Sequence, residues 1–218
     1  MSKKTELVAG YLKKIKPAWP VPEPLPDSNL LEQGMFAVLQ RRATADKSKT
    51  ALKNLKSNYP DWNELRIAQV QEIAGHLKLG KKGVELARDV KAYLQEIFQN
   101  SHGLDLEFLR DDPIAGSRFA VELSFLGFAT GNYLLWLAAD RVLPVSPELV
   151  RVLDRLDLIS RTSSMKKARV AIEPIIPKGD VLTFATRFGE VASNWCHKKP
   201  TCHLCPLVDD CQFGIKTF

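Results

Sequence analysis

The residues of this 218-residue chain best equipped for chemistry are its four cysteines, all within C196-HKKPT-C202-HL-C205-PLVDD-C211. Core cysteines scatter; these recur at C-x5-C-x2-C-x5-C. The central C-x-x-C lets two sulfurs reach one centre from a single turn, and each five-residue arm wraps round to supply another. That ligand set suits an iron–sulfur cluster or a tetrahedral zinc ion. A disulfide framework is the weakest reading, because the chain opens without a secretory signal and an intracellular setting keeps thiols reduced. His197 and His203 lie inside the loop and read as solvated basic residues, since four thiolates already complete the set.

The rest of the composition is that of an ordinary globular protein, 45% hydrophobic and 26% charged, long enough for one sizeable core or two small ones. The formal net charge of +6 favours a polyanionic partner. No apolar run approaches a bilayer span, so no membrane partner and a cytoplasmic, nucleoid-associated address are expected.

Helical periodicity dominates. Val8, Tyr11, Leu12 and Ile15 stripe a helix over 5–15. Five prolines between Pro17 and Pro26 then forbid helix and favour an extended connector. Asp27 or Ser28 is expected to cap the next helix, with Leu31, Met35, Phe36 and Leu39 facing inward. A lysine-rich helix (Lys47, Lys49, Lys53, Lys56) reads as a solvated face. Two more stripes follow, Ile67, Val70, Ala74, Leu77 and then Ala87, Val90, Leu94, Ile97, separated by the basic turn Leu79-Gly80-Lys81-Lys82-Gly83. Asp111-Asp112-Pro113 is a helix start or turn. The stretch 123–140 predicts a turn around Gly127 and a nearly all-apolar buried helix. Ser146 as N-cap, Pro147 at N1 and Glu148 in the first turn open another, with Leu149, Leu153, Leu156 and Ile159 inward. Helices near 164–176 and 180–193 lead into the cysteine loop. Strand-like alternation is scarce and no repeat is visible, which makes the chain all-α.

In this order of elements the sequence resembles the endonuclease III branch of the helix-hairpin-helix DNA glycosylases, from about Leu30 to Cys211. The cysteine loop carries most of the likeness, Lys199-Pro200 included, although the family's first arm is one residue longer. V145-SPELVRVLDRL is similar to the segment around the family's catalytic aspartate. L123-SFLGFATGN falls on its hairpin, usually L-P-G-V-G-[RK]-K-T-A, and Ala43-Thr44 is a weaker match.

The resemblance implies a two-lobed fold. A six-helix lobe with the helix-hairpin-helix would span 28–140, and a cluster lobe would join 1–27 to 141–218. It further implies a [4Fe–4S] cluster (zinc being the alternative) on Cys196, Cys202, Cys205 and Cys211, with damaged or distorted duplex DNA as partner of a monomer. Its DNA-facing positions fall on Arg42 and Leu79, with Lys81 and Lys82 beside them, and on Phe125, Gly127 and Ala129 of the hairpin.

The chemistry is where the sequence departs. Cleaving an N-glycosidic bond builds positive charge on the sugar, which a carboxylate stabilises. Bifunctional relatives add a lysine that proceeds through a Schiff base to strand cleavage. Here the aspartate position is Ser146 and the lysine position is Ala129. Phe125 stands for the first glycine of the hairpin turn, and Phe128 for a residue that is often basic. Lys166 and Lys167, beside Arg169, read as DNA-facing or exposed. The expectation is a DNA-binding, repair-related protein lacking standard glycosylase and abasic-site lyase activity. Two rivals stand beside it: an active glycosylase of altered lesion specificity using Glu148 or Asp140, and a cluster protein working through protein contacts or redox without DNA.

Overall fold

The computed structural model describes residues 2–16, 22–111 and 127–216, except for the side chains of 127–129. The described residues form helices and turns and contain no strand. The chain divides into two compact units, one of Trp19–Leu126, the other of Met1–Ala18 with Gly127–Phe218.

The first unit is built on α2 (Leu30–Gln40), all of whose residues are buried. Around it lie α3 (Ala45–Asn58), α4 (Trp62–Ile67), α5 (Val70–Leu77), α6 (Gly83–Ser101) and the short α7 (Phe108–Asp111). α2 packs on α3 and α6, and α6 also carries α4 and α5. A helix buried all round must satisfy its polar side chains. Gln33 does so by accepting the Leu25 N–H at 3.0 Å and donating to the Leu25 carbonyl at 2.7 Å. Glu32 does so by pairing with Lys56 at 2.8 Å. Tyr93 of α6 donates its hydroxyl to the Leu31 carbonyl at 2.9 Å. That approach requires a glycine at 34, where a Cβ would lie 2.2 Å from the Tyr93 oxygen.

Three details differ from expectation here. Asn29 caps α2, accepting the Glu32 N–H at 2.9 Å, while Asp27 turns the chain in the left-handed region at φ 55°. The predicted stripe from Ile67 to Leu77 is broken. Asp61 caps a separate α4, the backbone leaves helical geometry at Ala68, and α5 restarts with a new phase. Ile67 is therefore 59% exposed; Leu77 faces the core as expected, joined by Leu65 and Ile73. Residues 22–27 also go with this unit, consistent with the Gln33 grip on Leu25.

The second unit joins α1 (Lys3–Lys14) to α8 (Gly127–Ala138), α9 (Pro147–Arg155), α10 (Met165–Ile172), α11 (Val181–Asn194) and the short α12 (Gln212–Ile215). Its core gathers Val8, Tyr11, Leu12 and Ile15 with Leu149, Leu153, Ile172, Phe184 and Phe188. The expected inward stripe of α9 is buried through Leu156 and Ile159. Pro174 ends α10, and a 3-10 turn over Glu173–Ile175 follows. α8 packs on α11, and Asn132 donates to the Ala185 carbonyl at 2.8 Å. Tyr133, Leu134 and Leu135 are buried there, so the largely apolar α8 belongs to this unit and not to the 28–140 lobe expected from sequence. Helix already runs from Gly127, where a turn was expected, and residues 123–126 lie outside the described part.

Candidate metal centre and nucleic-acid interface

The cysteine loop leaves α11 at Trp195 and folds as a series of tight turns. The Cys196 N–H donates back to Val191 at 2.8 Å, and Thr201 N–H to Trp195 at 2.9 Å. A 3-10 turn over Cys202–Leu204 brings the Cys205 N–H to the Cys202 carbonyl at 3.0 Å. A second turn, Val208–Asp210, returns Cys211 N–H to Val208 at 3.2 Å. Tight turns are what the short spacings 196–202–205–211 demand. Cys196, Cys205 and Cys211 lean on the apolar core, and Leu207 is buried within it. His197 and His203 are exposed.

All four cysteines are free and half-buried. Burial pushes the Cys196 thiol up, against the pull of the Arg155 hydrogen bond and of the Arg155 and Arg151 charges. Burial likewise raises the Cys205 thiol, and negative charge on Cys196, Cys211 and Cys202 raises it further. Among the described residues, though, no three His, Cys, Asp or Glu side chains gather as the ligands of a single ion. The donor set fits a thiolate-binding centre. Four neighbouring thiolates repel unless a metal holds them deprotonated, and two guanidinium groups already face the loop. Arg151 donates to the Cys196 carbonyl at 2.8 Å, and Arg155 to the Cys196 sulfur at 3.2 Å. Both arginines line a cavity of about 680 Å³ with Arg161, Lys198, Phe213 and Lys216.

Of the positions expected to matter for glycosidic chemistry, Ser146 is engaged in capping a helix. Ser146 is buried and accepts the Leu149 N–H at 3.2 Å, capping α9 as expected. Ala129 lies in the first turn of α8. Glu148 sits half-buried in the first turn of α9, and Asp140 is exposed on a left-handed turn at φ 49° with Arg141 at φ 66°.

In the other unit, the loops carrying Arg42 and Leu79 do meet. Arg42, Leu79, Lys81 and Lys82 line one cavity of about 970 Å³, joined by Arg41, Lys47 and Lys78. Lys82 donates to the Arg42 carbonyl at 3.0 Å and ties the two loops together. The Arg42 side chain turns away to α6, pairing with Glu85 at 2.9 Å and Asp89 at 3.1 Å. Those carboxylates hold its guanidinium pKa above the ordinary value. Phe125 lies outside the described residues, and Gly127 and Ala129 are placed by backbone alone.

Sequence reasoning passed over Lys47, which read as solvated face but reaches this cavity from the first turn of α3. It also missed Lys78, which occupies the left-handed position ending α5. The roles of Arg151 and Arg155 went unseen as well. Their i,i+4 spacing opposite the Leu149–Leu153 stripe is the signal, because it puts both on the face that the loop covers.

No family model matches the chain. It is 24% identical to the DNA glycosylase/AP lyase ROS1 of Arabidopsis thaliana over 181 residues, covering 72% of this chain and 13% of that protein. It is 26% identical to DEMETER-like protein 2 of the same plant over 176 residues, covering 70% and 13%. The chain therefore spans only 13% of the length of the curated relatives it matches. Among solved structures, a non-covalent endonuclease III–DNA complex aligns at TM-score 0.47 and 19% identity, over 100% of this chain and 99% of that one. A thermostable thymine-DNA glycosylase aligns at TM-score 0.48 and 19% identity, over 98% of each. The chain is thus similar in sequence to plant proteins of the DNA glycosylase/AP lyase ROS1 and DEMETER-like kind, and its described residues are helix and turn throughout.

Proposed function

We propose that this protein binds damaged or distorted duplex DNA as a monomer, carries a [4Fe–4S] cluster on Cys196, Cys202, Cys205 and Cys211, and lacks standard glycosylase and abasic-site lyase chemistry. The observation that carries the reading is the Ser146 hydroxyl, held at 3.2 Å by the Leu149 N–H at the position where the family resemblance implies a carboxylate. A hydroxyl keeps the cap and gives up the charge. One well-placed charge or donor contributes roughly 100- to 1000-fold in rate, and alanine at 129 removes the covalent route altogether.

DNA binding is supported by the cavity that Arg42, Leu79, Lys81 and Lys82 share, whose lining carries Arg41, Lys47 and Lys78 against the single acidic residue Asp46. The cluster is supported by four free, half-buried thiols wrapped in tight turns and faced by two arginines. When bound, such a cluster supplies a redox-active, structure-holding centre and no part of base excision itself.

The test is to incubate the purified protein with duplexes bearing oxidised pyrimidines or abasic sites while following binding over a salt series. The expected result is binding that weakens steeply with salt, without base release. Robust base release that tracks the protein overturns the reading. One observation favours a second reading, an active glycosylase of altered specificity: Glu148 is a half-buried carboxylate two residues beyond Ser146. Under that reading Glu148→Gln abolishes base release.

A further inference from the structure

Arg155 meets the cysteine loop at several points. One nitrogen of its guanidinium donates to the Cys196 sulfur at 3.2 Å and to the His197 carbonyl at 2.7 Å. The other donates to the Lys198 carbonyl at 3.3 Å. The plane of the group lies 4.2 Å from the ring centre of Phe213, two residues past Cys211. The Cys211 thiol in turn donates to the Arg155 carbonyl at 3.4 Å. One residue at the end of α9 therefore touches the first cysteine, the first arm, the last cysteine and the ring two residues beyond it. Neighbouring Arg151 touches only the Cys196 carbonyl, at 2.8 Å.

We infer that Arg155 is the positioning residue of this metal loop, clasping its two ends together and setting the charge felt at the Cys196 sulfur. The inference rests on the reading that these cysteines hold a metal centre. The clasp needs an arginine. A planar fork donates to two carbonyls and a sulfur while stacking on a ring, whereas a lysine offers one compact charge without the fork or the stack. A hydrogen bond and positive charge at a ligand sulfur favour the more negatively charged, reduced state of a cluster, so losing them lowers its reduction potential. The cavity beside the clasp is lined by Arg161 as well, which makes no described bond to a cysteine and serves as control.

The experiment uses the full chain, purified without oxygen, as wild type, Arg155→Gln, Arg155→Lys and Arg161→Ala. Metal release to an excess of chelator and the reduction potential are both measured. Metal release is expected to be roughly 10- to 100-fold faster in Arg155→Gln, with a lowered potential. Arg155→Lys is expected to recover part of the potential but not the retention, and Arg161→Ala to match wild type. If Arg155→Gln does not fold, Phe213→Leu removes the stacking face and must move release in the same direction by a smaller factor. Release and potential within twofold and within error of wild type in Arg155→Gln overturn the inference, as does an unchanged Phe213→Leu where that variant decides. Metal analysis of the wild type judges the underlying reading separately. A single zinc retires the cluster yet leaves the release comparison able to decide the role of Arg155, and absence of any metal overturns both.

Discussion

The Ser146 hydroxyl accepts the Leu149 backbone N–H at 3.2 Å, and Pro147 stands between as the first residue of α9. The cap is complete without a carboxylate. Replacing Ser146 by alanine removes that acceptor from a buried position and is expected to cost about 1 kcal/mol, read as a shift in the denaturation midpoint. Ser146→Asn retains an acceptor and is expected to stay within about half of that loss.

Gly34 and Tyr93 test the packing of the fully buried α2. Gly34→Ala drives a Cβ to 2.2 Å from the Tyr93 oxygen and 2.7 Å from its ring, a clash expected to cost on the order of 1–3 kcal/mol. Tyr93→Phe loses the bond to the Leu31 carbonyl, for roughly 1 kcal/mol. Because both changes act on the same few atoms, the double variant is expected to be less destabilised than the two losses added together, as equilibrium denaturation of all four proteins will show.

Glu107 gives the first unit an acid-sensitive contact. Burial raises its carboxyl pKa, but the Leu30 N–H at 2.9 Å and the Arg110 side chain at 2.6 Å outweigh this and leave it lowered. A carboxyl held below its unfolded value stabilises the fold above that value, near pH 4.3, and the contribution is lost as the pH falls through the depressed native value. Thermal stability of the wild type is therefore expected to drop more steeply below about pH 4.3 than that of Glu107→Gln, with the two profiles running parallel at neutral pH.

Lys81 and Lys82 occupy the 3-10 turn that faces the Arg42 loop. If they meet phosphates, neutralising either one should weaken DNA binding across all sequences and reduce the slope of log affinity against log salt by about 1. Arg42 is committed to Glu85 and Asp89, so Arg42→Ala should lower the slope less than either lysine change. Fluorescence anisotropy over a salt series measures both.

The sequence made much of this legible and some of it not. The stripes of α1, α6 and α9 are buried as their periodicity predicts, because each helix packs along one face over its whole length. The Ile67–Leu77 stripe held at Leu77 but lost Ile67, because capping by Asp61 and the break at Ala68 re-phased it. The same limit hid α8, whose mostly apolar make-up says that it is buried but not against what; α11 supplies the answer. At the candidate sites, cysteine spacing pointed to a metal loop, since ligand spacing is local. The contacts of Arg155 with Cys196 and of Lys82 with the Arg42 loop span 41 and 40 residues. Contacts at that range leave only a weak trace in periodicity.

The central claim, grip without the charge that breaks a sugar–base link, is tested most directly by a single-turnover reaction with protein in excess over a duplex bearing one abasic site and one oxidised pyrimidine. Bound and cleaved strand are measured on the same sample. The account predicts a shifted duplex whose strands and bases remain intact over hours. Stoichiometric base release or strand scission, lost on Glu148→Gln or Asp140→Asn, would contradict it.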